Sequence, residues 1–144
     1  MCLIQFQKEL QFQTHGGRLL EITLEIQRLV SDSGLSNGLC NLFVRHTSAS
    51  LTIQENADPA VLSDLEHFMN KLVPEDDSDY HHTFEGPDDM PAHIRSALTQ
   101  VSEQIPVSNK RLMLGTWQGI FLWEHRRRGR QRNVVVNLLG NIKN

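Results

Sequence analysis

The spacing of apolar residues changes along this chain, and the change limits the folds open to it. Apolar and polar residues alternate from Ile4 to Gln13, which is typical of a strand with one buried face. Between Leu19 and Leu29 apolar residues recur every three or four positions, which predicts an amphipathic helix ending near Gly34. Strand-like segments return from Ile105 onward. Strands therefore occupy both ends of the chain, with helices between them.

Two further helices are predicted in the middle of the chain. The Asp58-Pro59 pair predicts a helix start, because aspartate accepts hydrogen bonds from free backbone amides and proline is tolerated at the first helical position. The predicted buried stripe of that helix is Val61, Leu65, Phe68 and Leu72. Pro91 lies in the first turn of the other helix. The acidic segment 73–88 between them lacks periodicity, which indicates a long loop of the kind that often carries function.

These patterns predict one α+β domain over residues 1–144, with antiparallel, sandwich-like sheets and about three helices. A chain of 144 residues with 39% hydrophobic residues suits one folded core. Since it has neither a signal-peptide pattern nor a long apolar stretch, we expect a cytoplasmic protein that does not contact membrane. Cys2 and Cys40 are too few for a disulfide scaffold or a four-thiolate zinc site.

Charge is segregated along the chain although the net charge is only −3. Eleven acidic residues stand against one lysine between Glu55 and Asp89, whereas five arginines lie between Arg126 and Arg132. The arginines could attract a phosphate or a polyanion, or they could simply belong to a solvated hairpin turn around Gly129. Nucleic-acid binding ranks last, because no aromatic residues are interleaved with the arginines.

The first candidate site is the segment from His46 to Ser50. His46 is in phase with Cys40 and Leu42, which would direct it toward the interior, where an imidazole needs a hydrogen-bond partner or a metal. The hydroxyl groups that follow it could hold a phosphate. A structural histidine with a satisfied hydrogen bond is the alternative interpretation.

The second candidate site joins the acidic loop to the helix after it. His93 lies one turn into that helix and can point into the same cleft as one of the paired histidines, His81 and His82. Together with His46 they would supply the three nitrogen ligands typical of a zinc site with an open fourth position. Asp89 could orient the imidazoles or could cap the helix.

The third candidate site covers residues 114–126. Glu124 ends an otherwise buried strand face, so it needs a metal, a histidine or an arginine as partner. Trp117 lies between two glycines, where a ligand can approach the backbone closely, and Trp123 is assigned to the core. The chain has no Gly-x-Ser-x-Gly elbow, Walker A loop or dinucleotide fingerprint, which disfavours those chemistries.

Three stretches of the chain resemble the YjbQ family, also described as the secondary thiamine-phosphate synthase family. They are HTSASLTIQENADP (46–59), YHHTFEGPDDMPAHI (80–94) and GTWQGIFLWEHR (115–126). The resemblance implies a compact β-rich α+β protein that forms homotrimers. It also implies weak thiamine-phosphate synthase activity, in which a transferase joins a pyrimidine pyrophosphate to a thiazole phosphate, and hence a phosphate-bearing small molecule as partner.

The resemblance places the family's polar positions on residues of this chain, and we hypothesise a role for each. The residues expected in catalysis are Ser48, Asp89 and Glu124. Those expected to bind the phosphate-bearing ligand are Ser50, Thr116, Trp117, Gln118 and Arg127. His46, His82 and His93 are the expected metal ligands, for zinc or, with a phosphate ligand present, for magnesium. A non-enzymatic trimeric module that binds a metal or an anion remains the alternative function.

Overall fold

The computed structural model describes residues 2–143, which form eight strands and three helices. The strands are β1 (Cys2–Gln13), β2 (Leu19–Glu21), β3 (Asn37–Val44), β4 (Ala49–Glu55), β5 (Ser102–Ser108), β6 (Arg111–Leu112), β7 (Gln118–Glu124) and β8 (Gln131–Ile142). The helices are α1 (Thr23–Ser33), α2 (Pro59–Leu72) and α3 (Asp89–Leu98). The predicted α+β class with three helices is confirmed.

The strands form two antiparallel sheets. One has the order β1-β8-β3-β5-β6, and the other has the order β2-β7-β4. β1 and β8 pair along their whole length, from Cys2 opposite Ile142 to Gln13 opposite Gln131. The main core contains buried residues of both sheets and of α1, among them Ile26, Leu42, Leu122 and Val136. Burial of this apolar surface contributes most to holding the two layers together.

The predicted first helix is present, but it begins later than the apolar spacing suggests. Leu19–Glu21 forms β2 and pairs with β7, so the helix starts at Thr23. It ends at Gly34, which adopts the left-handed conformation with φ of 77°. Pairing with a neighbouring strand therefore overrides the helical period at its first positions.

Helix α2 begins as predicted, because the Asp58 side chain accepts from the backbone N–H of Ala60 at 2.9 Å. The predicted buried stripe is wrong at its end, since Phe68 and Leu72 are both more than half exposed. Met69 is the buried residue of this helix and packs with Val73 and Trp123 in a small second cluster. The prediction failed because α2 packs on this small second cluster and contributes no residue to the main core.

Helix α3 lies against the start of β4, where Ser96 Oγ donates to the carbonyl of Ala49 at 3.2 Å. This contact brings the first turn of α3 next to the segment that connects β3 to β4. β7 pairs with β4 and ends at Glu124, so the residues after it reach the same edge. In the part of the chain that the structure describes, no helix has the length and apolar character needed to cross a membrane.

Candidate functional site

Asp89 and His93 lie one turn apart on α3 and therefore share a helix face. His93 Nε2 is 3.0 Å from Asp89 Oδ2. The other ring nitrogen, Nδ1, is 2.9 Å from the carbonyl oxygen of Thr47, in the connection between β3 and β4. Since a carbonyl only accepts, Nδ1 carries a proton and donates it. In the neutral form of His93, Nε2 then presents a lone pair.

The loop before α3 delivers a second imidazole to the same carboxylate oxygen. His82 Nε2 is 2.7 Å from Asp89 Oδ2 and 3.4 Å from Glu85 Oε2. The rings of His82 and His93 have centroids 5.4 Å apart. His82, Glu85, Asp89 and His93 each offer a ligand atom, and these atoms all lie within 4.8 Å of one another. We call these four residues the histidine–carboxylate cluster.

The electrostatics of the cluster favour positive charge between the imidazoles and Asp89, carried by a proton or by a metal ion. A neutral His93 would aim a lone pair at an ionised carboxylate oxygen, so a proton or a metal ion must lie between them. The hydrogen bond to Asp89 raises the pKa of His82 above its usual value, and the negative charge of Glu85 adds to this effect. Burial alone would raise the pKa of Asp89, but its hydrogen bond with His82 and the nearby charges lower it overall.

Arg126 fixes the carboxylates on the far side of the cluster. Its Nη1 donates to Asp89 Oδ1 at 2.6 Å and its Nε to Asp88 Oδ2 at 2.9 Å. Asp88 Oδ2 also accepts from the backbone N–H of Arg127. Burial would raise the pKa of Asp88, but these hydrogen bonds outweigh it and lower the pKa to about 2. The Asp88 side chain makes no capping hydrogen bond to α3. Its carboxylate instead accepts hydrogen bonds from Arg126 and Arg127.

The structure does not place His46 in the histidine–carboxylate cluster. His46 Nε2 accepts a hydrogen bond from the backbone N–H of Asn133 at 2.8 Å, so that lone pair is already used. Burial and the charge of Arg132 lower the pKa of His46. His46 does line a shallow depression with Thr47 and His93. The candidate metal ligands are therefore two imidazoles and two carboxylates, instead of the three imidazoles expected from the sequence.

Ser48 and Glu124 also lie outside the cluster, in a buried network of their own. The fully buried Glu124 carboxylate accepts from Arg132 Nε at 2.8 Å and from Thr14 Oγ1 at 2.6 Å. Burial would raise the pKa of Glu124, and the hydrogen bonds from Arg132 and Thr14 lower it overall. Ser48 Oγ accepts from the same arginine at 2.9 Å. Of the three partners considered for Glu124, the structure supplies an arginine.

The residues expected to bind the phosphate-bearing ligand are divided between two ends of the molecule. Gln118 pairs with Glu55 and Glu124 pairs with Ala49 at opposite ends of β7, and a strand of seven residues spans about 20 Å. Thr116, Trp117 and Gln118 are exposed at the far end, with Trp117 62% exposed. Within one chain these three residues therefore lie far from the cluster.

Ser50 and Arg127 lie at the near end. Ser50 Oγ is 2.7 Å from His125 Nε2, and both side chains are buried. Arg127 forms an ion pair with Glu75 through its side chain. His125 is not among the residues predicted from the sequence. Its position indicates a role, because it directly follows Glu124, where β7 ends and the arginine-rich turn begins.

Comparison with known proteins gives consistent matches. A family model described as "UPF0047 protein YjbQ-like" matches residues 8–141. A UPF0047 protein of Synechocystis is 59% identical over 138 residues, covering 96% of this chain and 94% of its own length. The UPF0047 protein YjbQ of Escherichia coli O157:H7 is 43% identical over 136 residues, covering 94% of this chain and 98% of its own.

Solved structures show the same fold. A crystal structure of a YjbQ/UPF0047 protein from Clostridium acetobutylicum superposes with a TM-score of 0.82 at 38% identity, covering 91% of this chain and 98% of the other. A protein of unknown function from Sulfolobus solfataricus, described as YbjQ-like, gives a TM-score of 0.89 at 25% identity, covering 97% and 100%.

Proposed function

Because this chain belongs to the UPF0047 YjbQ-like family, we propose that its histidine–carboxylate cluster binds a divalent metal that assists a reaction of a phosphate-bearing small molecule. The family model and the curated relatives confirm the resemblance to the YjbQ family that the sequence motifs indicate. One observation carries the proposal. His93 Nδ1 donates to Thr47, so in the neutral ring the Nε2 lone pair points at the carboxylate oxygen of Asp89 that His82 also approaches, where a metal ion would have both as ligands.

The donor set suits zinc better than magnesium. Two imidazole nitrogens with carboxylate oxygens are common zinc ligands, whereas magnesium prefers oxygen ligands and retains water. The present spacing of 2.7 and 3.0 Å between the imidazole nitrogens and Asp89 Oδ2 is that of hydrogen bonds. Tetrahedral ligands about 2 Å from a zinc ion lie roughly 3.3 Å apart. Small outward movements of the side chains would therefore make room for the ion.

The residues around the cluster support a reaction with a phosphate leaving group. A bound divalent cation supplies Lewis acidity and neutralises charge that develops on such a group. Thr47 fixes the ring orientation of His93, and Arg126 holds the Asp89 carboxylate. Glu85 is the most exposed side chain of the cluster. In thiamine-phosphate synthase chemistry, the departing group is pyrophosphate. Homotrimer formation and a cytoplasmic location remain predictions.

Turnover of the two thiamine precursors tests this function. The zinc-loaded protein should join the pyrimidine pyrophosphate to the thiazole phosphate above the buffer background, with pyrophosphate released. His93→Ala should abolish product formation. His67→Ala is the matched control, because His67 is exposed on α2 and outside the cluster. Metal binding without turnover of these precursors would favour the alternative, a non-enzymatic metal- or anion-binding module.

A further inference from the structure

A cavity of about 340 Å³ lies beside the cluster, and positive groups dominate its wall. Three arginines and a histidine line it, namely Arg95, Arg126, Arg127 and His125. The turn at Gly16 and Gly17 and the side chain of Asn70 complete most of the wall. Arg126 connects this cavity to the cluster, because the same guanidinium holds Asp88 and Asp89.

Arg95 is a buried cation whose charge is not neutralised by a direct partner. The side chain is only 5% exposed and donates to two carbonyl groups, those of Val73 at 2.8 Å and His125 at 3.4 Å. Among the residues that the structure describes, its Nε has no hydrogen-bond partner, and it forms no ion pair with a carboxylate. Glu75 and Asp88 act on this charge only from a distance. A buried charge without a directly bonded counterion is costly, so an arrangement of this kind favours an anionic ligand.

His125 also lines this cavity and carries a second buried polar atom without a partner. The residue is 2% exposed, and within the range 2–143 its Nδ1 has no hydrogen-bond partner. Burial and the neighbouring Arg95 lower the pKa of His125 to about 3, so the ring is neutral and carries one proton. When the Ser50 hydroxyl donates to Nε2, that proton resides on Nδ1 and can be donated.

We propose that this cavity is an anion subsite that binds a phosphate group, with the guanidinium groups of Arg95 and Arg127 and the imidazole of His125 as its polar wall. The inference rests on the proposed function in one respect, because it places the phosphate of the ligand next to the histidine–carboxylate cluster. Anion binding in the cavity does not itself need the metal. Charge-assisted hydrogen bonds from guanidinium groups to phosphate are among the strongest that proteins make.

Glu75 indicates the class of ligand. Its carboxylate pairs with Arg127 in the wall of the anion subsite, where a phosphate would compete with it. Glu75 also lines a neighbouring cavity whose wall includes His82, one residue of the cluster. The Glu75 side chain therefore separates a phosphate in the anion subsite from a cavity that reaches His82. The geometry fits a phosphate or pyrophosphate ester whose remaining part extends past Glu75 toward His82.

Titration calorimetry with inorganic phosphate and with pyrophosphate tests the subsite. Arg95→Gln and Arg127→Gln should each weaken binding about tenfold to a hundredfold, the equivalent of losing one charged hydrogen bond. Arg128→Gln is the matched control, because it removes the same charge from the same turn at a residue outside the cavity wall. It should change affinity less than about twofold, since exposed charges contribute little. Equal affinity in all four proteins, or no binding by the wild type, would overturn the inference.

If Arg95→Gln fails to fold, a measurement on the wild-type protein still tests the anion subsite. Long-range ¹⁵N NMR reports which nitrogen of His125 carries the proton. Saturating phosphate should shift the Nδ1 resonance of His125 while that of exposed His67 stays in place. If the His125 resonance does not change at saturating phosphate, phosphate does not bind in this cavity.

Repeating the titration after chelation and with His93→Ala separates the two proposals. Phosphate binding that persists without metal supports the anion subsite, even if elemental analysis finds no metal in the histidine–carboxylate cluster. Metal binding with no phosphate affinity overturns the subsite and leaves the proposed metal site standing.

Discussion

Arg126 Nη1 lies 2.6 Å from Asp89 Oδ1, the carboxylate oxygen that faces away from both imidazoles. Asp89 is 2% exposed, so its two oxygens are divided between an arginine and the two histidines. The arginine orients the carboxylate and keeps it ionised, since a nearby positive charge lowers a carboxyl pKa. This relationship connects the arginine-rich turn to the histidine–carboxylate cluster.

Arg126→Gln should weaken zinc binding about tenfold to a hundredfold, as expected when an outer partner of a metal ligand is lost. Competition with a chromophoric chelator measures the affinity. Arg128→Gln, with the same change of charge on an exposed residue, should bind zinc like the wild type. An Arg126→Gln protein with wild-type affinity would show that Arg126 does not position Asp89 for a metal.

The paired histidines should differ in their effect on metal content. His82 Nε2 lies in the cluster, whereas neighbouring His81 is exposed and outside it. We expect His82→Ala to reduce the zinc content measured by elemental analysis from about one ion per chain to a small fraction, because one nitrogen ligand is lost. His81→Ala should retain the wild-type content. Equal zinc in the two variants would argue against His82 as a ligand.

The buried His125 should make the protein less stable in mild acid. Its folded pKa of about 3 lies below the usual value of 6.5, so the unfolded chain binds the extra proton first as the pH falls. The stability that His125 contributes is therefore complete above about pH 6.5 and is lost progressively toward pH 3. Between pH 7 and pH 5 this loss amounts to about 2 kcal/mol.

Urea unfolding of wild type and His125→Gln at pH 7 and pH 5 measures this contribution. The variant should lose about 2 kcal/mol less than the wild type over that interval. The difference between the two proteins is the informative quantity, because His46 and His82 titrate in both. Identical pH dependence of the two proteins would mean that His125 is not held neutral.

The buried pair of Glu124 and Arg132 should matter for stability. Glu124→Gln leaves the Arg132 charge uncompensated in the interior, which should lower the free energy of unfolding by about 3 to 5 kcal/mol. The control is Glu9→Gln, which breaks the exposed pair with Arg45 and should cost less than about 1 kcal/mol. Chemical denaturation compares them. A loss at Glu124 as small as that at Glu9 would contradict the structural role.

Much of the fold could be predicted from the sequence, because hydrophobic periodicity and helix signals act locally. The Asp58-Pro59 start of α2 and the alternation in β1 were visible as patterns of neighbouring residues. The exposure of Phe68 depends instead on where α2 packs, and that is decided by distant parts of the chain. Propensity and period alone do not contain this information.

The candidate site was predictable in part for the same reason. Asp89 and His93 are four residues apart on one helix, so their meeting follows from helical geometry. His46 shows the limit, since its Nε2 is occupied by the backbone N–H of Asn133, a residue 87 positions away. Glu124 and Arg132 pair across the arginine-rich turn, and the sequence does not predict which of the five arginines meets Glu124.

Anomalous scattering at the zinc edge, from crystals of protein incubated with zinc, locates any ion bound by the histidine–carboxylate cluster. We expect one peak about 2.0 to 2.2 Å from Nε2 of His82, Nε2 of His93 and a carboxylate oxygen of Asp89 or Glu85. The contradicting result is a map without a peak there, in which the two imidazoles still lie 2.7 and 3.0 Å from Asp89 Oδ2.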